Sequence, residues 1–160
     1  MAIWRGCGGG AGRGLVVVDR TEQAQVALVR ATNPSEVLHP CHLFGAVQAE
    51  GRLDFRPGDP GYDAVVAASA HVPTVLGVEM IRPAVLSAVE PYAAGMLAVF
   101  GASDAAFIDV VTGKATPHGH LLTELPRSMK AVVEQDPAAV DDSADPLYPR
   151  GFRLSYPARR

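Results

Sequence analysis

DPGYDAVVAASA at residues 59–70, followed at once by VPTVLGV at 72–78, is the stretch that decides the fold. Asp59 before Pro60 reads as a helix cap with proline at the first helical position, where its missing N–H costs nothing. Tyr62, Val65, Val66 and Ser69 then fall at i, i+3, i+4 and i+7, so a helix over about 60–70 carries one buried stripe. VPTVLGV is apolar on both parities, the pattern of a central parallel strand covered on both faces. Working outward, GMLAVF at 95–100 is a second such strand. A helix over 83–90, stopped by Pro91, is expected between them. Ser103 caps a helix through Val111 that ends at Gly113, and LLTEL at 121–125 offers a last strand. Upstream, QVALVRA at 25–31 suits a buried strand. The apolar run at 15–18 lies only six residues before it, too few for a parallel crossover, so it pairs antiparallel or stays outside the sheet. This alternation predicts an α/β fold, a three-layer sandwich with a mostly parallel sheet and helices on both faces.

With 160 residues, 48% hydrophobic and 19% charged, the chain suits one globular domain with its own core. Its apolar runs are too short to cross a bilayer, so no membrane partner is expected. The net charge is -3 and the arginines are scattered, which argues against nucleic acid. Residues 5–14 hold six glycines and formally fit a dinucleotide fingerprint, but that loop needs a strand before it and a helix after it. The expectation is a flexible tail over 1–14, a single domain over 15–156 and a short tail at 157–160. No secretory leader is recognisable, which places the chain in the cytoplasm. Cys7 and Cys41 lack zinc or redox spacing and read as free thiols. His39, Cys41 and His42 cluster locally, yet a fourth ligand would have to come from His71, His118 or His120, so no metal is expected. Ser35, Ser103 and Ser155 lack the glycine-flanked setting of a serine nucleophile. Residues 32–58 show no clear period; loops this long in compact domains are functional or disordered. EQDPAAVDDSAD at 134–145 reads as a solvated acidic linker.

The terminal segment ADPLYPRGFRLSY, 144–156, has neither helical nor strand period. Pro146 and Pro149 remove donors, Gly151 is permissive, and Tyr148, Phe152 and Tyr156 suit anchors that hold an irregular strap on a preformed body. It resembles the closing motif of the C-terminal domain of glycoside hydrolase family 3, PLYP-aromatic-G-aromatic-GLSY, with Arg150 in place of an aromatic and Arg153 in place of a glycine. FGASDAAFIDVVTGKATPHGHLLTELPRS at 100–128 and IRPAVL at 81–86 are similar to further family motifs, in the same order. The resemblance spans roughly 15–156, while the family domain's usual opening strand and helix look replaced by the glycine-rich tail. It implies an α/β sandwich and β-glucosidase-like hydrolysis of O-glycosyl bonds in carbohydrate, without a cofactor. It further implies an acid/base glutamate on a loop of this domain, in a Pro-x-Glu setting that Pro34-Ser35-Glu36 resembles. Glycoside hydrolysis takes two carboxyl groups, and the resemblance puts the second, an aspartate, on a TIM barrel for which 160 residues leave no room. The expectation is therefore a domain inactive alone and completed in trans by a barrel; the alternative is a noncatalytic remnant that binds carbohydrate or protein. An unpaired sheet edge would also favour a homo-oligomer.

Ligands of open α/β sheets gather beyond the carboxyl ends of the strands. The segments following three strands bring forward Glu36, Glu79, Arg82 and Asp104, a rim whose carboxylates and guanidinium suit sugar hydroxyls. Each also has a structural reading: Asp104 as a first-turn acid beside the Ser103 cap, Arg82 as a buried partner for Glu79, and Glu36 as an ordinary exposed carboxylate.

Overall fold

A computed structural model of the chain describes residues 2–6, 15–42, 47–136 and 138–156. They fall in two compact units: one within Met1–Thr32, Phe55–Met80 and Ala88–Gly101, the other within Asn33–Asp54, Ile81–Ser87 and Ala102–Arg160.

The first unit is built on five strands, β1 (Ala2–Gly6), β2 (Leu15–Val17), β3 (Val26–Thr32), β4 (Thr74–Glu79) and β5 (Gly95–Val99), in the order β2-β1-β3-β4-β5. β3, β4 and β5 are parallel, with Val29 opposite Leu76 and Leu76 opposite Met96. The expected α/β class and parallel sheet are present. Ala27, Leu28 and Val29 are consecutive and all buried, as are Leu76, Gly77 and Val78, because these strands expose neither parity to water. Burying one such Leu or Val contributes about 1.5–3 kcal/mol. Helix α1 (Pro60–Ser69) lies on β3 and β4. Its buried residues are Val65 and Ala68, while Tyr62, Val66 and Ser69 of the expected stripe are half-buried. Asp59 stands at the N-cap position, but its carboxylate turns back to accept the Arg56 N–H at 2.8 Å.

Gly61 lets α1 approach β3 closely. A Cβ there would stand 2.7 Å from the Ala31 Cβ and 3.0 Å from a Phe55 ring carbon. Gly61→Ala gains helix propensity, by up to about 1 kcal/mol, but overpacks this contact. The expected result is a net destabilisation of about 1–2 kcal/mol, read as a lower urea midpoint with an unchanged slope.

Several expectations are corrected. Ala2–Gly6, assigned to a flexible tail, forms β1 and pairs antiparallel with both β2 and β3; the rest of that tail, 7–14, and the tail at 157–160 lie outside the described residues. β2 is antiparallel as allowed, but its partner is β1 rather than β3. The helix expected over 83–90 is absent. Ala84, Val85 and Leu86 are buried in succession, which one helical face could not achieve, and Val85 donates its N–H to the Leu53 carbonyl at 3.0 Å in extended pairing. Pro91 opens a short 3-10 turn, Glu90–Tyr92, rather than stopping a helix.

In the second unit, α2 (Asp104–Val111) begins where expected. The Ser103 hydroxyl accepts the Ala106 N–H at 3.3 Å, and Gly113 leaves the helix at φ +69°. A further helix, α3 (Met129–Glu134), is capped in the same way by Ser128. Residues 121–125 form no strand; Leu125 makes a single antiparallel bridge with Tyr148. The terminal strap lies along this segment, with Leu121 N–H on the Phe152 carbonyl at 3.0 Å and Gly151 N–H on the Leu121 carbonyl at 2.8 Å. Tyr148 stacks on Phe152 with ring centres 4.8 Å apart, and the Tyr156 hydroxyl donates to the Val110 carbonyl. Arg150, at the unusual position, pairs with Asp141 on the surface. The acidic stretch is held rather than free: buried Glu124 accepts the Ser143 N–H at 2.8 Å and the Gln135 side-chain amide at 2.6 Å.

Candidate functional site

At the carboxyl edge of the parallel sheet, Thr32, Glu79 and Val99 stand side by side. Glu79 is engaged at both oxygens: Arg30 donates to one at 3.0 Å, and the Gly101 N–H donates to the other. This carboxylate therefore ties together β3, β4 and the turn after β5. The pairing of Glu79 with Arg82 is corrected by the same contacts. Arg82 belongs to the second unit, where its guanidinium donates to the Ala49 carbonyl at 3.1 Å.

The second unit gathers Glu36 and Arg82 around residues 49–52. Glu36 is exposed; its N–H donates to the Glu50 carbonyl at 2.8 Å, and one carboxylate oxygen accepts the Arg52 N–H at 3.1 Å. The two limbs are close enough that only glycine fits between them. Gly51 has φ +75°, and a Cβ on it would lie 2.2 Å from Glu36 Oε2. Ala49, buried and at φ +51°, is a non-glycine residue in left-handed backbone, with Arg82 on its carbonyl. Asn33, also buried, holds the Ile81 N–H at 3.2 Å through Oδ1, while its Nδ2 has no hydrogen-bond partner among the described residues. Asp104 is exposed in the first turn of α2, a place that favours a carboxylate through the helix dipole.

Beside this cluster opens a cavity of about 410 Å³, lined by Val47, Gln48, Glu50, Ile81 and Arg82. Glu50 is the residue that sequence reasoning missed. Its Oε2 accepts the N–H groups of Leu38 and His39 at 3.2 and 3.1 Å, and its Oε1 lies 2.9 Å from His39 Nδ1. The His39 side chain is the main reason that the Glu50 carboxyl lies below the ordinary carboxylate range; burial works against this, and the Leu38 and His39 N–H groups add to it. A lowered carboxyl pKa gives stabilisation that is complete above the ordinary range and lost as pH falls through the lowered value. The contacts are thus expected to persist at neutral pH and to open only in acid, which the amide shifts of Leu38 and His39 would report in a titration.

His39 and His42 meet edge to face at 5.8 Å between ring centres, and Cys41 is an exposed thiol; Cys7 lies outside the described residues. Among the described residues no three His, Cys, Asp or Glu side chains are placed to hold a metal ion.

No protein-family model matches the chain. The chain is 43% identical over 143 residues to the periplasmic beta-glucosidase/beta-xylosidase of Dickeya chrysanthemi, an alignment covering 89% of this chain and 22% of that protein. It is 35% identical over 144 residues to beta-glucosidase C of Emericella nidulans, covering 90% of this chain and 23% of the relative. The chain thus spans less than a quarter of the length of these relatives, and the part it matches is their C-terminal portion. These matches are consistent with a glycoside hydrolase family 3 C-terminal domain. The crystal structure of the beta-D-glucoside glucohydrolase from Trichoderma reesei has the same fold over 85% of this chain and 22% of its own, with a TM-score of 0.58 at 21% identity. The family 3 motifs at 81–86, 100–128 and 144–156 thus lie in a glycoside hydrolase-like domain, in which α2 and the terminal strap belong to the second unit.

Proposed function

We propose that this family 3 domain supplies the proton-transferring carboxyl, Glu36, for hydrolysis of a β-glycoside, and that a barrel domain, on the same or another polypeptide, supplies the attacking carboxylate. Protonating the leaving oxygen while a second carboxylate attacks the anomeric carbon, or activates water against it, requires a group with one accessible oxygen. The observation that carries the reading is the setting of Glu36. It is exposed, fixed through one oxygen by the Arg52 N–H, and bonded through its own N–H to the segment that lines the cavity. The other oxygen has no hydrogen-bond partner among the described residues and is left for a glycosidic oxygen.

In this reading the cavity takes a sugar ring. Gln48 and Arg82 offer hydrogen bonds to hydroxyl groups, and Val47 and Ile81 offer apolar contact to the C–H face. Glu79, with both oxygens engaged, holds the strand tips of its own unit together, and Asp104 at the start of α2 is proposed as a further acceptor for sugar hydroxyls.

The test is hydrolysis of an aryl β-glucoside by the purified chain, alone and mixed with a family barrel domain. Turnover only in the mixture, removed by Glu36→Gln, supports the proposal. Turnover by the chain alone would refute the placing of the attacking carboxylate outside it. Sugar binding with no turnover in either arrangement would make the domain a noncatalytic carbohydrate-binding module.

A further inference from the structure

We infer that Glu50 is the positioning residue for Glu36, acting as a staple across the two limbs 36–39 and 49–52. The inference rests on the acid/base reading of Glu36, and the observations behind it are separate. The two glutamates hold each other's segments. Glu50 accepts the Leu38 and His39 N–H groups and meets the His39 ring, while Glu36 accepts the Arg52 N–H and donates its own N–H to the Glu50 carbonyl. A glutamate side chain exposed on the connection between β3 and α1 has many rotamers. A proton donor needs one, since misplacement by about 1 Å can cost about a hundredfold in rate. The Glu50 carboxylate contacts the 38–39 backbone from the opposite limb, and so fixes the path of the chain immediately after Glu36.

The surroundings fit a staple rather than a second proton donor. The charged and titratable groups around Glu50 are His39, bonded to it; His42, against the His39 ring; Arg82, on the same cavity wall; and Glu36 with Arg52 on the adjoining bonds. Three hydrogen bonds to the ionised form keep Glu50 charged, whereas a general acid must hold a proton. Glu50 acts on the glycosidic bond only through where it puts Glu36.

Two measurements test this on the intact chain. Amide hydrogen exchange followed by NMR is expected to quicken at least about tenfold in Glu50→Ala at Leu38 and His39, the equivalent of one net hydrogen bond lost. The deciding amides are Glu36 and Arg52, which should quicken likewise, while Leu125 and Thr112, held by bonds remote in sequence, do not change. Protection kept at Glu36 and Arg52 would overturn the inference even if Leu38 and His39 loosened. Should Glu50→Ala fail to fold, the isosteric Glu50→Gln decides: it retains one acceptor oxygen, so the same four amides should loosen by a smaller factor, and no change at Glu36 and Arg52 would sink the idea.

In the complemented enzyme, Glu50→Ala should lose about tenfold or more in kcat on phenyl β-glucoside and little on 2,4-dinitrophenyl β-glucoside, whose leaving group departs without a proton. Equal losses on both substrates would mark a general folding defect and refute a positioning role. If Glu36→Gln itself showed no leaving-group dependence, the acid/base reading would fall, and the exchange data would still decide the staple.

Discussion

Glu36→Gln is expected to lower kcat on phenyl β-glucoside by about 10²–10⁴-fold in the barrel-complemented enzyme, the range over which general acid catalysis operates. Glutamine is isosteric and keeps a carbonyl oxygen to accept the Arg52 N–H, so the local backbone should stay in place. What is removed is the proton. The loss should therefore fall on kcat more than on KM, should shrink as the leaving phenol becomes more acidic, and should erase one limb of the pH–rate profile. Steady-state kinetics over a series of aryl glucosides measures all three. A loss of equal size across the series would mean that Glu36 does not donate the proton.

Leu76→Ala should unfold the domain more readily than any other single truncation in the sheet. Leu76 has 0% of its surface exposed and stands in the middle of β4, opposite Val29 on one side and Met96 on the other. A Leu→Ala change at such a site removes transfer free energy and leaves a cavity that neighbours in regular strands cannot close, costing about 2–5 kcal/mol. Set against total stabilities of about 5–15 kcal/mol, that is a large part of what holds the fold. Urea titration followed by circular dichroism should show the lower midpoint. Leu76→Met, which conserves volume, should cost less than about 1.5 kcal/mol.

The elements legible in the sequence were those whose local signal and tertiary role agree. β3, β4 and β5 carry apolar residues on both parities and are the parallel strands, β3 and β4 inside the sheet and β5 at its edge; α1 and α2 carry a proline or a serine at the right terminus. The 83–90 segment misled because Ala84, Val85, Leu86 and Val89 resemble a short helix with a proline stop, whereas all four are buried and Val85 pairs in extended form. α3 was hidden by its brevity, only six residues, despite the Ser128 cap. In the proposed site, Glu36 stands out in the sequence by a likeness to a Pro-x-Glu setting. Glu50 does not, because what marks it is the return of the chain onto the 36–39 limb, and no spacing in a stretch without period encodes that return. The Glu79 carboxylate looked available for ligand because its partner Arg30 lies 49 residues away on the neighbouring strand, a pairing that only the register creates.

The place of β1 bears on how the protein can be handled. β1 runs between β2 and β3, with Ala2, Ile3 and Trp4 paired to β3 and Trp4, Arg5 and Gly6 paired to β2. Trimming the N-terminus at the neighbouring glycines, an obvious economy on grounds of composition, would strip β3 of one partner and β2 of the one it has among the described residues. The bared row of N–H and C=O groups on β3 would then be an invitation to aggregation during expression, and an insoluble product would say more about the cut than about the domain.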